Sequence, residues 1–488
     1  MNWKTFYSIL LLVGVFTTTT FLQAQITDSI QIRIQQVENG LSPLVQKEGQ
    51  ELWNIEDQMR KYNIPGLSVA VINNYQVEWS KAYGKINNGE ASKVTTQTVF
   101  QAASISKFVN AVAILKLKEL KGISLDEDIN TQLSSWKVPY DKSISDEVIT
   151  LRKILSHTAG LSVHGFGGYK TAKKLPTILE ILDGESPANS PKVKPIIPPM
   201  QEFKYSGGGT TVSQLALSEL SGASYEDFVH ENVLGPTQMN ESFYSTEFEK
   251  YPKEVSNGHT QNGKPLKNGY NLYPESAAAG LWTTSNDLAK LITHLQLSLA
   301  NDKRGILTKS SIEELMTPML KNNNAALGVF VEDQNGEKYI QHSGSNRGFR
   351  GKFYFGANNG KGVVIMINGT NTNIIDQIIR SVASVYNWKG FNKLAVKPNL
   401  DLSELDYKKY MGTYTFGKRS VSVIYKNGKL QIAEKKKWSS ILTPLNESTF
   451  VANALSPRAT MEFISDNEGK VIKMIVNQGG VLEWKKVE

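Results

Sequence analysis

The sequence of 488 residues contains no cysteine, and this absence excludes several kinds of chemistry at once. Without thiols there is no disulfide bond, no thiolate nucleophile, no cysteine-bound zinc and no lipid-modified cysteine after an export signal. The stability of the chain must therefore come from its hydrophobic core. A chain of this length can bury a large core, divided among two or three domains.

Long apolar runs are also scarce. Only the first 24 residues combine a positive start, Lys4, with an apolar stretch, Ile9–Phe16, and this stretch is too short to span a bilayer. A small-residue cleavage site ends at Ala24, so we predict that residues 1–24 form an export signal. An uncleaved anchor is the disfavoured alternative, because Thr17–Thr20 interrupt the apolar stretch. We expect a periplasmic or secreted protein with no transmembrane segment after signal removal.

Several motifs of catalysis and cofactor binding are missing. The histidines are His157, His164, His230, His259, His294 and His342. None belongs to a His-Glu-x-x-His motif, and the Gly-x-Ser-x-Gly elbow of another hydrolase fold is absent as well. Gly258–Lys264 has the glycine and lysine spacing of a phosphate-binding loop, but Pro265 stands where the metal-binding hydroxyl would be. We therefore expect neither a metal nor a cofactor.

The charge balance is mildly basic, with a formal net charge of +8. The longest basic run, Lys435–Lys437, has no interleaved aromatic residues, so we expect no nucleic-acid partner. Anionic cell-wall polymers and membrane surfaces remain compatible with this charge.

Hydrophobic periodicity gives a coarse arrangement of elements. Leu67–Asn73 and Val77–Tyr83 are β-rich runs that predict a hairpin, whereas Ile374–Tyr386 is amphipathic and predicts a helix. Further β-rich runs include Ala326–Glu332. Residues 162–200 are rich in glycine, lysine and proline without a period, which indicates a long irregular excursion of the kind that often forms a lid or binding wall.

The first positive signal is a serine followed three residues later by a lysine. Ser104 and Lys107 precede Phe108–Leu117, where apolar residues recur with helical spacing, and Gly122 ends the pattern. A serine in the first turn of this helix would meet unpaired backbone N–H groups and the positive end of the helix dipole. Lys107 lies one turn away on the same face and can reach the hydroxyl of Ser104. The alternative is an N-cap serine beside a surface lysine.

A second signal lies in the glycine-rich segment Phe203–Gly209. Tyr205 lies at the start of this turn, just before a helix predicted over Thr211–Leu220. The glycines allow the backbone to approach a ligand closely. A phenol is a weak base at neutral pH, but a neighbouring ammonium such as that of Lys107 would favour the phenolate. The alternative is that Tyr205 caps a buried turn.

A third signal is the run His342, Ser343, Gly344 and Ser345, where one strand turns into the next. These four are candidate oxyanion and substrate-binding residues. The backbone N–H of Ser345 would donate to an oxyanion together with the N–H of Ser104. A purely structural histidine is the alternative for His342.

In this order, the three signals resemble the Ser-x-x-Lys, Tyr-Ser-Gly and third active-site motifs of the serine β-lactamase and penicillin-binding-protein superfamily. The resemblance is closest to class C β-lactamases and their esterase and peptidase relatives, and it extends over residues 28–390. It implies an α+β fold for residues 25–395, with an antiparallel sheet flanked by helices and an all-helical region. The supporting framework segments are Ile64–Ile72, Leu155–Leu161, Gly280–Ala289 and Val363–Gly369.

The residue pattern changes from Val396 onward, where short β-rich runs alternate with turn signals such as Asn427-Gly428. They predict a small all-β unit over residues 396–488. This unit resembles the lipocalin-like β-barrel domains often appended to such hydrolases. The eight runs are Tyr414–Phe416, Ser420–Tyr425, Leu430–Ala433, Ile441–Leu445, Thr449–Ala452, Thr460–Ile464, Val471–Val476 and Val481–Trp484.

The resemblance implies three catalytic roles. Ser104 attacks a carbonyl and becomes acylated, Lys107 keeps the serine and the tyrosine poised, and Tyr205 relays protons to the leaving group and from the deacylating water. Whether Lys107 or Tyr205 is the general base stays open.

Two candidate substrate-binding residues depart from the family pattern. Gly207 stands where many members have an asparagine, and His342 replaces the usual lysine of the third motif and is mostly uncharged at neutral pH. A permanent cation for a substrate carboxylate would then have to come from Arg347 or Arg350. Efficient β-lactam hydrolysis is therefore disfavoured, whereas ester, amide or peptide hydrolysis is not.

We thus expect an exported serine hydrolase that acts on a small molecule or peptide, with cell-wall fragments among the candidate substrates. A D-amino-acid-specific peptidase lies within this class. The alternative is a penicillin- or peptidoglycan-recognising binding protein with little or no turnover.

Overall fold

The computed structural model describes residues 28–43, 45–47, 49–170, 174–244, 254–321, 323–334, 336–391, 394–396, 404–417, 419–434, 438–452, 459–477 and 481–487. The predicted export signal, residues 1–24, lies outside them. Within these ranges, no helix combines the length and the apolar character needed to cross a membrane.

Among the described residues before position 400 there are ten strands. They are β1 (Val45–Lys47), β2 (Gly66–Asn73), β3 (Gln76–Gly84), β4 (Phe100–Gln101), β5 (Trp282–Thr283), β6 (Phe330–Gln334), β7 (Glu337–Asn346), β8 (Phe349–Gly356), β9 (Gly362–Ile367) and β10 (Leu394–Val396). Six of them form an antiparallel sheet in the order β3-β2-β9-β8-β7-β6. The predicted hairpin is confirmed as β2 and β3. Its turn residues Asn74 and Tyr75 both have positive φ, which a two-residue hairpin turn of type I′ requires.

Helices pack on both faces of this sheet, and others in this part of the chain pack mainly against one another. They are α1 (28–38), α2 (Ile55–Tyr62), α3 (Ser106–Lys121), α4 (Ile129–Gln132), α5 (Leu151–Leu155), α6 (Ile178–Asp183), α7 (Gly207–Ser221), α8 (Tyr225–Val229), α9 (Ser285–Leu299), α10 (Lys309–Leu315) and α11 (Asn373–Val385). This arrangement of helices and antiparallel strands confirms the predicted α+β fold.

The sheet separates two hydrophobic cores because side chains alternate between its faces. On one face, Val69 and Ile365 pack with isoleucines of α11. On the other face, Val364 and Phe353 pack with residues of α3 such as Phe108. Each fully buried side chain of this size contributes about 1.5–3 kcal/mol to folding, so α3 is held firmly against the sheet.

Two details differ from the sequence predictions. The excursion over residues 162–200 contains the short helix α6, which begins with a capping box in which Thr177 and Glu180 bond each other's backbone N–H groups. The β-rich run Ala326–Glu332 forms a strand only from Phe330 onward. The backbone turns at Gly328, which has a φ of +68° and lies close to the Lys107 carbonyl of α3.

The all-β unit predicted at the C-terminal end is present as a closed eight-stranded barrel. Helix α12 (Glu404–Lys408) precedes it, and its strands are β11 (Gly412–Phe416), β12 (Arg419–Lys426), β13 (Lys429–Glu434), β14 (Trp438–Pro444), β15 (Thr449–Ala452), β16 (Ala459–Ser465), β17 (Val471–Asn477) and β18 (Val481–Lys486). Side chains including Tyr410, Tyr414, Phe450 and Phe463 pack together in its core. All eight predicted runs are strands, whereas the lipocalin-like character and the boundary at residue 396 stay predictions.

Candidate active site

Ser104 lies in a single turn of 3₁₀ helix, Ala103–Ile105, that leads directly into α3. Its side chain is partly exposed, although its neighbours Ala103 and Ile105 are fully buried. Ala103 has a φ of +52°, a left-handed conformation that costs an alanine about 1–3 kcal/mol. The turn is fixed by two hydrogen bonds, from the Ala102 N–H to the Leu281 carbonyl (2.9 Å) and from the Ser106 hydroxyl to the Ala103 carbonyl (2.6 Å).

Lys107 is buried beneath this turn, with 3% of the residue exposed. Its Nζ donates to the Ala278 carbonyl at 2.7 Å and to the Ser104 hydroxyl at 3.3 Å. It also lies over the Tyr205 ring, 5.1 Å from the ring centroid. The structure therefore brings the three predicted catalytic residues together around one ammonium group. Sequence reasoning missed the contribution of Ala278, since a backbone carbonyl leaves no side-chain signal in the sequence.

Three histidines surround Tyr205. Its ring centroid lies 4.2 Å from that of His157, 5.0 Å from that of His164 and 6.5 Å from that of His342. Nδ1 of His157 accepts a hydrogen bond from the backbone N–H of Ser206 at 3.2 Å, so this imidazole holds the tyrosine segment in place. The three histidines belong to no common sequence motif, so their proximity to Tyr205 becomes evident only in the folded structure.

The two buried histidines are fixed as neutral rings. Nδ1 of His342 lies 2.7 Å from the Ser343 carbonyl, which only accepts, so Nδ1 carries the proton. Burial and the charge of Lys107 lower the pKa of His342 to about 3, and the same causes hold the pKa of His157 well below its usual value. His342 therefore cannot supply the positive charge of the lysine that it replaces.

A loop fills the space in front of Gly207. The Gly207 N–H donates to the His164 carbonyl at 3.0 Å, and a side-chain carbon at position 207 would lie 3.1 Å from the Phe166 ring. The hydroxyl of Ser206 caps α7 by accepting from the Gly209 N–H at 2.8 Å. The asparagine found at this position in many family members would not fit without displacement of the loop.

The third motif lies against the turn that carries Ser104. His342 and Gly344 of β7 are buried, whereas Ser343 and Ser345 are exposed. A side-chain carbon on Gly344 would be 2.0 Å from the Ala102 carbonyl oxygen. Position 344 therefore has to be glycine for β7 to approach the turn this closely. The oxyanion role of Ser345 stays a prediction.

The two arginines behind the third motif differ in their surroundings. Arg350 is paired with Ser345 across β7 and β8, and its Nη1 donates to the Asn346 and Phe349 carbonyls, both at 2.6 Å. Burial lowers the pKa of Arg350 from its ordinary value. Arg347 is exposed, and its backbone N–H donates to the Tyr273 hydroxyl at 3.4 Å. Arg350 is thus directly opposite Ser345 in the strand pair, with its guanidinium bound to backbone carbonyls.

We expect Gly344→Ala to disable the site. The new carbon would force β7 and the Ser104 turn apart, because the Ala102 carbonyl is backbone and cannot rotate away. Overpacking of this kind costs about 1–3 kcal/mol, and a displacement near 1 Å can slow catalysis about 100-fold. Ester hydrolysis rates and thermal denaturation would measure both effects. Gly351→Ala is the matched control, since its added carbon meets the flexible end of Ile105, and equal rates in both variants would contradict the expectation.

Metal ligands do not cluster anywhere in the described ranges: no group of three or more His, Asp or Glu side chains there is arranged to hold an ion.

Relatives of known structure share this architecture. A penicillin-binding protein homologue from Pyrococcus abyssi, described as octameric, superimposes with a TM-score of 0.60 at 22% identity and covers 88% of this chain and 98% of its own. The D-alanine carboxypeptidase AmpC of Burkholderia cenocepacia gives a TM-score of 0.54 at 16% identity, covering 68% of this chain and 96% of its own. These similarities establish the fold.

Sequence comparison points the same way. The chain is 23% identical to the protein flp of Staphylococcus aureus over 347 residues, which is 70% of this chain and 67% of flp. The family model for Beta-lactamase matches residues 54–381, the greater part of the chain and the part that contains all three motifs. This chain therefore belongs to the Beta-lactamase family, within the penicillin-binding-protein and serine β-lactamase fold.

Proposed function

We propose that this protein is an exported serine hydrolase that cleaves an ester, amide or peptide bond through an acyl-enzyme on Ser104. The observation that carries the proposal is the position of the Lys107 ammonium, 3.3 Å from the Ser104 hydroxyl and 5.1 Å from the Tyr205 ring centroid. A serine hydroxyl needs a group that removes its proton and a charge that stabilises the alkoxide, and this arrangement offers both.

In the first half of the proposed reaction, the Ser104 oxygen bonds to the substrate carbonyl carbon and its proton passes to the base, which is either Lys107 as its neutral amine or Tyr205 as its phenolate. The backbone N–H groups of Ser104 and Ser345 stabilise the oxyanion, and the leaving group departs with a proton. In the second half, water gives a proton to the same base and bonds to the acyl carbon, the bond from that carbon to the Ser104 oxygen breaks, and the serine oxygen takes the proton from the base. The choice between Lys107 and Tyr205 as the base stays open.

The surroundings of the site favour substrates without a carboxylate next to the scissile bond. His342 is neutral and its Nε2 atom is buried, so this residue supplies no positive charge for a substrate carboxylate. The amide side chain usual in the second motif is missing at Gly207. These two features disfavour efficient β-lactam turnover and leave esters, amides and peptides as the substrate class, D-amino-acid peptides and cell-wall fragments among them. Periplasmic or secreted localisation follows from the predicted export signal.

A binding protein with little or no turnover is the second candidate. The same two departures, Gly207 and His342, support it, because they remove groups that assist hydrolysis in family members. In this case the protein would recognise penicillin or peptidoglycan, and the barrel would provide attachment.

Mass spectrometry of the intact protein separates the two candidates. The protein is incubated with a fluorescent penicillin and, separately, with a chromogenic ester, and both the adduct mass and product release are followed. A hydrolase gives a burst of product followed by steady turnover. A stable adduct without turnover would instead support the binding protein, and the absence of both adduct and turnover would contradict the hydrolase.

A further inference from the structure

His164 differs from the other two histidines beside Tyr205. His157 and His342 are buried, their Nδ1 atoms are engaged by backbone groups, and burial together with the charge of Lys107 keeps both rings neutral. His164 is exposed at the surface, and its ring centroid is 5.0 Å from that of Tyr205. Among these three imidazoles, only that of His164 therefore contacts both the phenol ring and the solvent.

The loop that carries His164 is fixed at several points. The Gly207 and Gly208 N–H groups donate to the carbonyls of His164 and Val163, both at 3.0 Å. Further along, the Asn271 side chain donates to the Gly167 carbonyl at 2.9 Å. These contacts hold the imidazole beside Tyr205 and explain why position 207 has no side chain.

We propose that His164 exchanges protons between Tyr205 and the solvent during turnover. The inference rests on the proposed function, since it assigns a proton route to that same site. His164 acts through Tyr205 and does not contact the reacting carbonyl, so it is a positioning and proton-exchange residue.

The proton balance of hydrolysis requires such a route. Water adds to the acyl carbon, the bond from that carbon to the Ser104 oxygen breaks, and the serine oxygen takes one proton. The released carboxylic acid ionises at neutral pH, so each turnover of an ester leaves one surplus proton in the site. Lys107 is only 3% exposed, whereas the His164 imidazole lies at the surface with its ring against that of Tyr205, so one bridging water can carry the proton from the phenol to the imidazole, which passes it to water or buffer.

The charges around His164 keep it ready to accept a proton. The groups that face it are the phenol of Tyr205, the imidazole of His157 and the ammonium groups of Lys107 and Lys204. Partial burial of the ring and the two ammonium groups lower the pKa of His164. The ring is therefore mainly neutral at pH 7, and activity that depends on it should decrease as the pH falls through this lowered pKa.

The test is the variant His164→Gln, assayed with a nitrophenyl ester. We expect kcat to fall about 100-fold, the lower end of the range for proton-transfer groups, while the burst that reports acylation keeps its amplitude. Added imidazole should restore part of kcat. In the pH profile of kcat, the decrease on the acidic side should shift to a different pH. If His164 had only a structural role, imidazole would not restore kcat and the acidic side of the pH profile would not shift.

His230→Gln, which replaces an exposed histidine elsewhere, is the matched control and should retain full activity. Thermal denaturation of both variants shows whether the loop keeps its structure. Wild-type kcat in His164→Gln, or a loss that imidazole does not rescue, would overturn the proton-exchange role. If Ser104 is never acylated in the wild type, the proposed function itself fails, and the mass of the intact protein distinguishes that failure.

Discussion

Replacing Ser104 with alanine should reduce nitrophenyl ester hydrolysis by about 10⁴-fold or more, because removal of the nucleophile in serine hydrolases leaves only binding and oxyanion stabilisation. The variant should also lose the mass increase that the wild type shows on acylation. Ser104 is partly exposed, and its hydroxyl receives one hydrogen bond, from Lys107, so its loss should change folding stability little. The measurements are steady-state rates, intact mass and thermal denaturation.

Ser218→Ala is a suitable control for this experiment. Ser218 lies on α7, is partly buried like Ser104, and uses its hydroxyl only to bond the Gln214 carbonyl of the same helix at 3.2 Å. The Ser218→Ala variant should hydrolyse the ester at the wild-type rate. Retained turnover in Ser104→Ala, with a normal fold, would refute the assignment of the nucleophile, and an adduct on another residue would identify its replacement.

The sequence predicted those parts of the fold that depend on local periodicity. Helix α3, the hairpin of β2 and β3 and the eight barrel strands all follow from regular hydrophobic spacing with glycine or asparagine at the turns. Helix α6 has only six residues, too few to show a helical period, and its sequence signal was the pair Thr177 and Glu180. The 3₁₀ turn at Ser104 was likewise not foreseen, since it depends on the tertiary contacts of Ala102 and Ala103.

The sequence singled out the residues of the candidate site, whose catalytic roles stay predictions, but it did not show their contacts. The three motifs gave Ser104, Lys107 and Tyr205 from their spacing and their resemblance to known motifs. The acceptor for Lys107 is the carbonyl of Ala278, and any residue there would offer the same group. The position of His164 depends on the loop that packs over Gly207, and no short-range pattern reports that contact.

Lys107→Met tests the centre of the site and should slow acylation by about 10³-fold. Methionine keeps most of the unbranched lysine side chain and removes its charge, so the Ser104 oxygen loses the ammonium that lies 3.3 Å away. The Ala278 carbonyl loses its partner, which costs about 1–3 kcal/mol, but a buried charge disappears as well, so the net change in stability should be small. Stopped-flow measurement of the ester burst gives the acylation rate.

Lys116→Met provides the matched control, because Lys116 lies on the same helix and also donates to a backbone carbonyl, that of Ile306 at 3.1 Å. Its acylation rate should equal that of the wild type. A readout independent of activity is the His164 titration by NMR: since the positive charge of Lys107 lowers the pKa of His164, that pKa should rise in Lys107→Met and stay unchanged in Lys116→Met. An unchanged pKa together with an unchanged burst would show that the Lys107 ammonium is not at the centre of this site.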